Sequence, residues 1–363
     1  MAINAQKYFI KAYNTNYVFL TRLNFPIDLS FGVDMEGNGV LSFQLNILDP
    51  ILVKFDVDNR KNIFELYNEG VLWRVYYLKD NVQYTSEKVQ FRCVDYIQKL
   101  TERVVASKTF NGVAGGTSAQ TLVTEANTGT NRDTFITNGV TDISTLIYKQ
   151  LDYQAAFDAL VVIRDTVNAQ MVLNTDLSLD FVSSYGNTLT ERLIYNYSDP
   201  RNSTIKDFTV LRDFGYIAND VTGKAGVTTS NETDSTSISK YGLTERFVSF
   251  PDAALITDLN NSTTEYKNEH REARLLPQVQ IDNAKIPLSC YNIGDKLPLF
   301  IYKGSLAIEG TYQIVSINVT VDDTSNETVQ VTLSENTVNN RNPDILNFIN
   351  NLDKRLKYIE LNA

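Results

Sequence analysis

Side chains able to perform chemistry are scarce in this chain, which has one histidine and two cysteines. His270 stands in the charged run Tyr266-Lys267-Asn268-Glu269-His270-Arg271-Glu272, which reads as a solvated helix face. Cys93 and Cys290 are far apart in strand-like runs and read as buried free thiols. One imidazole and two distant thiols cannot assemble a typical structural zinc site, and no Ser-His-Asp triad has an independent histidine. The chain contains no G-x-S-x-G, no H-E-x-x-H and no dinucleotide fingerprint. Gly112, Gly115, Gly116 and Gly129 do not form a phosphate-binding loop, because no Lys follows them at the required place. In Asp56-Val57-Asp58-Asn59-Arg60-Lys61, a calcium loop would need glycine at Lys61 and a ligand at Arg60. Paired carboxylates are the one enzymatic route left, with Asp176 and Asp180 as an example. A turn residue and a solvent-facing strand residue account for them more simply. With 43 acidic residues a pair is always available on paper. The expectation is therefore no catalytic residue, no cofactor and no metal.

Composition points the same way. A length of 363 residues suggests two or three domains, and 43% hydrophobic content is enough to build their cores. The 20 Tyr and 18 Phe suit β-rich structure, where flat rings pack across strands. A net charge of −10 argues against gripping nucleic acid through its phosphates and against an anionic membrane surface. No apolar run approaches the ~20 residues that span a bilayer. The first residues carry no continuous apolar core, so no signal peptide is expected and the chain reads as made and folded in a cytoplasm.

The elements become legible from Ile63 to Val105. Ile63, Glu65 and Tyr67 alternate with Phe64 and Leu66, Val71 to Leu78 is rich in aromatic and β-branched residues, and Val89, Phe91 and Cys93 share one face of a third strand. After Asp95 the period changes from two to 3.6, with Tyr96, Ile97, Leu100 and Val104 as an apolar stripe and Asp95 placed to cap the helix. Upstream, Lys7 to Leu23 gives two strand-like pieces, and Leu41, Phe43 and Leu45 alternate after the turn Met35 to Gly39. This is the frame of a small barrel.

At Ser107 the character shifts to a Gly/Thr/Ser-rich connection over Phe110 to Asn131, with room for a short helix at Thr117 to Ala126. Asp152 is the expected N-cap of a helix whose face is Ala155, Ala156, Ala159, Leu160, Ile163 and Val167, leading into a hairpin around Asn174-Thr175-Asp176. Strands are expected at Ile205 to Leu211 and Tyr216 to Gly223, then an exposed, mobile loop over 224–240, then a helix at about 252–275. Leu297, Leu299 and Ile301 alternate after the Gly294-Asp295 turn. Val315, Ile317, Val319 and Val321 are answered by Val329, Val331 and Leu333 across the turn at Asp322. Ile345, Ile349, Leu352, Leu356 and Ile359 are spaced 4-3-4-3, a helical seam that packs either on the chain's own surface or against other copies.

The order of these pieces resembles the tail hub proteins of tailed bacteriophages. The carriers are the aromatic strand, the Val94-Asp95-Tyr96 strand end with Leu100-Thr101-x-Arg103 after it, and the helix–hairpin insert. Asn219-Asp220-Val221-Thr222-Gly223 is similar to the N-x-V-x-V-x-G strand that opens the second barrel in hubs. Tyr241-Gly242 followed by a strand and a long helix, the Gly294-Asp295 turn, and Gly310-Thr311-Tyr312 with its long strand complete the series, from about residue 40 to 335. The resemblance implies a mainly β chain with an α+β insert. Its first tail-tube-like antiparallel β-barrel would occupy 1–106, the helix–hairpin insert domain 107–200, the second barrel 201–338 with the inserted helix, and a C-terminal helix 339–363.

Functionally it implies a structural, non-enzymatic protein at the distal end of the tail, in the baseplate or tail tip of the virion, assembled in the host bacterial cytoplasm. Three copies would form a ring whose six barrels continue the tube and adapt its six-fold symmetry to a three-fold tip. Implied partners are a tube or distal tail protein above, a tip or spike protein below, and viral DNA passing through the lumen without specific binding; no membrane insertion is implied. Candidate assembly contacts are Trp73, Tyr76 and Tyr77, for which core packing is an equal explanation, the seam Ile345, Ile349, Leu352, Leu356 and Ile359, and loop 224–240. The rival reading is a virion-borne β-rich receptor- or carbohydrate-binding module, suited by Tyr richness and Asn/Thr-rich loops.

Overall fold

A computed structural model describes residues 7–24, 27–54, 62–79, 82–129, 133–250, 256–322 and 326–334. The run Asp56 to Lys61, the seam Ile345 to Ile359 and the C-terminal helix expected over 339–363 lie outside them. The chain divides into two compact units, Met1–Asp207 with Val279–Ala363, and Phe208–Gln278.

The first unit opens with β1 (Tyr8–Tyr13), β2 (Phe19–Leu23), β3 (Ile27–Asp34), β4 (Val40–Asn46), β5 (Ile63–Asn68), β6 (Val71–Tyr77), β7 (Val82–Tyr84) and β8 (Lys88–Asp95). Strand β4 buries Leu41, Phe43 and Leu45 and leaves the residues between them partly open, the period-two pattern of a strand with one core face. Its neighbour β8 answers in register, so that Phe43 and Phe91 stack at 4.8 Å. Phe64 of β5 meets both rings edge-on. Burying each such ring contributes about 2–3 kcal/mol.

A 3-10 helix, Tyr96–Glu102, follows Asp95, rather than the α-helix that the spacing suggests. Asp95 does cap it, accepting the Ile97 N–H at 3.1 Å. The stripe ends at Leu100; Val104 is exposed and belongs to the next strand.

The next segment of this unit, where the insert is expected over 107–200, comprises β9 (Val104–Val105), β10 (Lys108–Ala114), α1 (Gly115–Asn127), β11 (Thr137–Thr141), β12 (Leu146–Leu151), β13 (Gln154–Ala155), α2 (Ala156–Thr166), β14 (Gln170–Leu173) and β15 (Ser178–Val182). Gly115 and Gly116 therefore open a helix instead of a flexible connection. A Cβ on Gly116 would lie 1.9 Å from Thr141 Oγ1, so the residue permits a close helix–strand approach. The second helix begins four residues after Asp152, at Ala156, because β13 first pairs with β9; its N-cap is Ala155, without a side-chain bond. Its buried face is Ala156, Ala159, Leu160, Ile163 and Arg164. One continuous core joins these helices to Ile63, Val75, Tyr77, Tyr96, Ile97 and Leu100 of the preceding segment.

The chain continues with β16 (Leu193–Asn196) and β17 (Ile205–Asp213). The second unit then forms β18 (Asp220–Ala225), β19 (Thr228–Thr233), α3 (Ser235–Tyr241), β20 (Glu245–Ser249) and α4 (Ile256–His270), before β21 (Arg274–Ile281), β22 (Lys296–Lys303), β23 (Leu306–Val321) and β24 (Glu327–Ser334). The expected mobile loop 224–240 is thus ordered structure. Ala225 pairs with Thr228 across Gly226, whose φ of +58° suits the hairpin turn, and Asp234 caps α3 by accepting the Ser237 N–H. Thr and Asn favour this hairpin although they supply no apolar signal. The long helix is α4, shorter than the 252–275 expected, because Arg274 already begins a strand; residues 251–255 lie outside the described residues.

The fold is mainly β, built on a large antiparallel sheet with few helices. In the first unit the hydrogen-bonded order is β24-β23-β3-β4-β8-β6-β5-β1-β2, with β22 also on β23, β16 parallel to β22 and β7 on β8. Early and late strands meet where Val33 of β3 pairs with Ile317 of β23. The sheet rolls: the Tyr76 hydroxyl of β6 donates to Gly32 O of β3 at 3.0 Å, and Tyr8 of β1 meets Phe31 of β3 edge-on. No ladder closes that roll into a barrel among the described residues.

Candidate functional site

Of the residues that sequence reasoning nominated for chemistry, Asp176, Asp180, Cys93 and His270 are held in hydrogen bonds or cores, whereas Cys290 is exposed and Asp56 to Lys61 lie outside the described residues. Asp176 Oδ1 accepts the N–H and hydroxyl of Ser178, whose bonds hold its carboxyl below the usual range, and Asp180 Oδ1 accepts Val140 N–H at 2.7 Å. Cys93 is fully buried, and burial raises its thiol well above the usual value; Cys290, expected buried, is exposed at the end of a short 3-10 turn. No group of three or more His, Cys, Asp or Glu side chains that could hold a metal ion occurs among the described residues.

His270 is a correction. It is buried rather than solvated, stacked between Tyr266 at 3.9 Å and Tyr216 at 4.2 Å, with the Arg274 guanidinium 4.0 Å from the Tyr216 ring centre. Its Nδ1 lies 2.8 Å from Tyr266 O, and burial pushes the imidazole down to about 4. The charged neighbours Glu269 and Arg271 masked this, because the ring that covers His270 comes from Tyr216, remote in sequence.

Among the nominated contacts, Tyr76 and Tyr77 lie within the chain's own core. Tyr76 bonds Gly32 O as above, while Tyr77 donates to Gln98 O at 3.1 Å and packs edge-on against Tyr96. Trp73 is half-buried and meets Phe31 edge-on at 4.8 Å. The exposed part of Trp73 is therefore the surface that β6 offers from this set.

Two side-chain clusters escaped sequence reasoning. Glu65, buried on β5, accepts the hydroxyls of Tyr13 at 2.6 Å, Tyr67 at 2.7 Å and Tyr17 at 3.0 Å. Burial and the carboxylate raise all three phenols. Lys7, Tyr8 and Asn283 converge likewise on Glu327, pinning β1 to β24. The alternation of Glu65 with Phe64 and Leu66 placed it on a strand but gave no sign of its partners.

Exposed apolar side chains, the surface expected of an assembling protein, include Val18 and Phe19 at the start of β2, and Leu48 and Val53 around the 3-10 turn Pro50–Lys54, which packs near β2. In the second unit, β18 pairs antiparallel with β19 and parallel with β20, and α4 covers one face of this sheet. A Cβ on Gly223 would lie 2.1 Å from Thr263 Oγ1 of that helix. Thr222, on the opposite face, is in register with the exposed Phe247.

No protein-family model and no curated protein matches the sequence. Solved structures do match. The prophage MuSo2 43 kDa tail protein from Shewanella oneidensis superposes at a TM-score of 0.69 with 10% identity, over 91% of this chain and 98% of that one. A tail protein from Neisseria meningitidis MC58 gives 0.66 with 13% identity, over 91% and 97%. The prophage tail protein gp18 from Listeria monocytogenes gives 0.60 with 13% identity, over 96% and 99%. This chain has the phage tail-protein fold. The matches run over nearly the full length of both partners. At 10–13% identity what is shared is the pattern of buried and paired strands rather than individual surface residues.

Proposed function

We propose that this protein is a structural component of a phage tail, acting at its distal end as the hub of the baseplate or tail tip. The observation that carries the reading is the end-to-end likeness to three tail proteins, two of them from prophages. The hydrogen bonds of Asp176 and Asp180 and the burial of Cys93 and His270 support a role in assembly rather than turnover. In this reading three copies form a ring, the rolled strands at either end of the chain supply two tube-like barrels per copy, and the six barrels continue the tube toward a three-fold tip. A tube or distal tail protein sits above and a tip or spike protein below, and DNA passes through without specific binding. A net charge of −10 suits a lumen to which phosphates do not adhere. The exposed part of Trp73 and the seam Ile345, Ile349, Leu352, Leu356 and Ile359 are the proposed contacts between copies.

The test is negative-stain imaging of the purified protein, classified without imposed symmetry. Three-fold rings with an open centre are expected, and deletion of residues 343–363 should reduce their fraction while leaving the melting temperature of the remainder unchanged. Compact monomers at micromolar concentration, in the presence of the neighbouring tail proteins, would overturn the ring.

A further inference from the structure

A guanidinium taken out of water needs a counter-charge, and in the first unit that rule is obeyed. Arg74 Nε lies 3.0 Å from Asp95 Oδ2, and Arg164 reaches Glu36 through Nη1 and Asp165 through Nε. Against the cost of burial these carboxylates hold both arginines above their usual values. Arg274, in the second unit, breaks the rule. It is only 6% exposed, yet its side chain makes no ion pair and no hydrogen bond among the described residues. Here burial prevails and pulls the guanidinium below its usual value.

Arg274 ends a column of planar groups. Tyr266 and His270 stand one turn apart on α4, which sets one ring over the other at 3.9 Å. Tyr216, from the segment between β17 and β18, stacks on the far side of His270 at 4.2 Å. The Arg274 guanidinium then lies 4.0 Å from the centre of the Tyr216 ring, on the face that His270 leaves free. Tyr216 Oη, His270 Nε2 and Arg274 Nε are all sealed from solvent, and none has a hydrogen-bond partner among the described residues. Their residues are 7%, 6% and 6% exposed. Unpaired polar atoms at such depth are rare, and three in one column call for a partner from outside it.

The nearby charges do not supply one. Arg246 of β20 donates from Nη2 to Gly215 O at 2.9 Å, which brings a second guanidinium to the loop that carries Tyr216. Asp213 and Glu269 act on Arg274 only through space, and Asp213 Oδ1 is occupied by the Gly215 N–H at 2.9 Å. His270 stays neutral, because burial and then the charges of Arg274 and Arg246 disfavour its cation. The two Nη nitrogens of Arg274, unlike Nε, are not among the sealed atoms, so the tip of the fork opens toward solvent.

We propose that Arg274 and the Tyr216 hydroxyl form a binding site for an oxyanion, a phosphate or carboxylate group that seats on the guanidinium fork and accepts the phenolic hydrogen. The parallel N–H bonds of a guanidinium match two oxygens of such a group, and stacking on Tyr216 fixes the plane in which they point. Burial raises the Tyr216 phenol, so the hydroxyl keeps its hydrogen and donates it. His270 and Tyr266 back the Tyr216 ring and hold it in place. The bound group supplies the counter-charge that Asp95 and Glu36 supply to the other two arginines.

The test is calorimetric titration of the full chain at neutral pH with sodium phosphate and, separately, sodium acetate, with chloride keeping the ionic strength constant so that general screening does not change. Saturable binding of one group per chain is expected, with a dissociation constant of about 1–10 mM. Phosphate alone would assign the site to a tetrahedral anion, and acetate as well would extend it to carboxylates such as an acidic side chain of another protein. At ten times the dissociation constant the unfolding constant should fall about tenfold. Arg274→Met should abolish binding, and Tyr216→Phe, which keeps the stack, should weaken it about tenfold. Binding of neither anion below about 100 mM would overturn the site. So would an affinity unchanged in Arg274→Met, which would place the anion elsewhere. Should Arg274→Met fail to fold, the titration of the natural chain and of Tyr216→Phe decides, and equal affinity in those two overturns the site.

Discussion

Glu65 shows how one polar residue can organise a strand edge. Three phenolic O–H groups converge on its carboxylate, and Tyr17 does so from a left-handed backbone with φ +59°. Glu65→Ala removes the acceptor from all three at once and should lower stability by about 2–4 kcal/mol, with Glu65→Gln, which keeps one acceptor oxygen, losing about half as much in urea unfolding. His270 makes a prediction with a definite sign. Its folded-state value is depressed from 6.5 to about 4, so the fold prefers the neutral ring. That preference is fully present above 6.5 and is lost as pH falls toward 4. Unfolding of the second unit, followed by near-UV signals of Tyr216 and Tyr266, should become easier across that window, and His270→Phe should remove the dependence while keeping the stack. His270→Ala should still assemble, because the ring faces its own unit.

At the scale of elements, β4 and β8 could be read from period-two alternation, because each has one face in the core and one outside it, whereas β5 is covered on both faces and β6 loses its alternation where Val75, Tyr76 and Tyr77 are all buried. The helix after Asp95 was legible in position but not in type: a seven-residue run with its stripe ending at Leu100 closes as a 3-10 turn. Residues 224–240 misled for a physical reason. Hydrophobic patterning marks burial, and β19 buries almost nothing but Ser230, so the hairpin owes its form to backbone pairing, Gly226 and a capped α3. The expected start of α2 at Asp152 failed because a two-residue pairing with β9, too short to show any period, came first. Of the candidate contacts, burial settled where Tyr76 and Tyr77 lie, something that alternation cannot say of an aromatic strand with two covered faces. Close packing of α4 on β18 yields a test at this scale. Gly223→Val places methyl groups against Thr263 and Phe250 and should destabilise the second unit by about 1–3 kcal/mol, read as a lowered thermal midpoint.

For the whole molecule, no cluster of three or more His, Cys, Asp or Glu side chains is available to a metal ion among the described residues. Chelators should leave the melting temperature unchanged, and a clear drop would reveal a metal site outside those residues. Breaking the Arg74–Asp95 ion pair should matter far more. Asp95→Ala strands the Arg74 guanidinium and uncaps the following turn, and should cost about 3–5 kcal/mol, enough to lower the yield of folded protein at 37 °C.

The pairing of Val33 with Ile317 also sets a timetable for biosynthesis. Strand β3 leaves the ribosome early, yet one of its two edges has no native neighbour until β23 has been made. At elongation rates of about 5–20 residues per second that interval is roughly 15–60 s. During it a hydrophobic strand carrying Leu29, Phe31 and Val33 presents bare backbone amides to every other nascent chain on the same messenger. Slower translation of the middle of the gene would lengthen that exposure, so codon choice between the first and last strands should influence the soluble yield without altering a single amino acid.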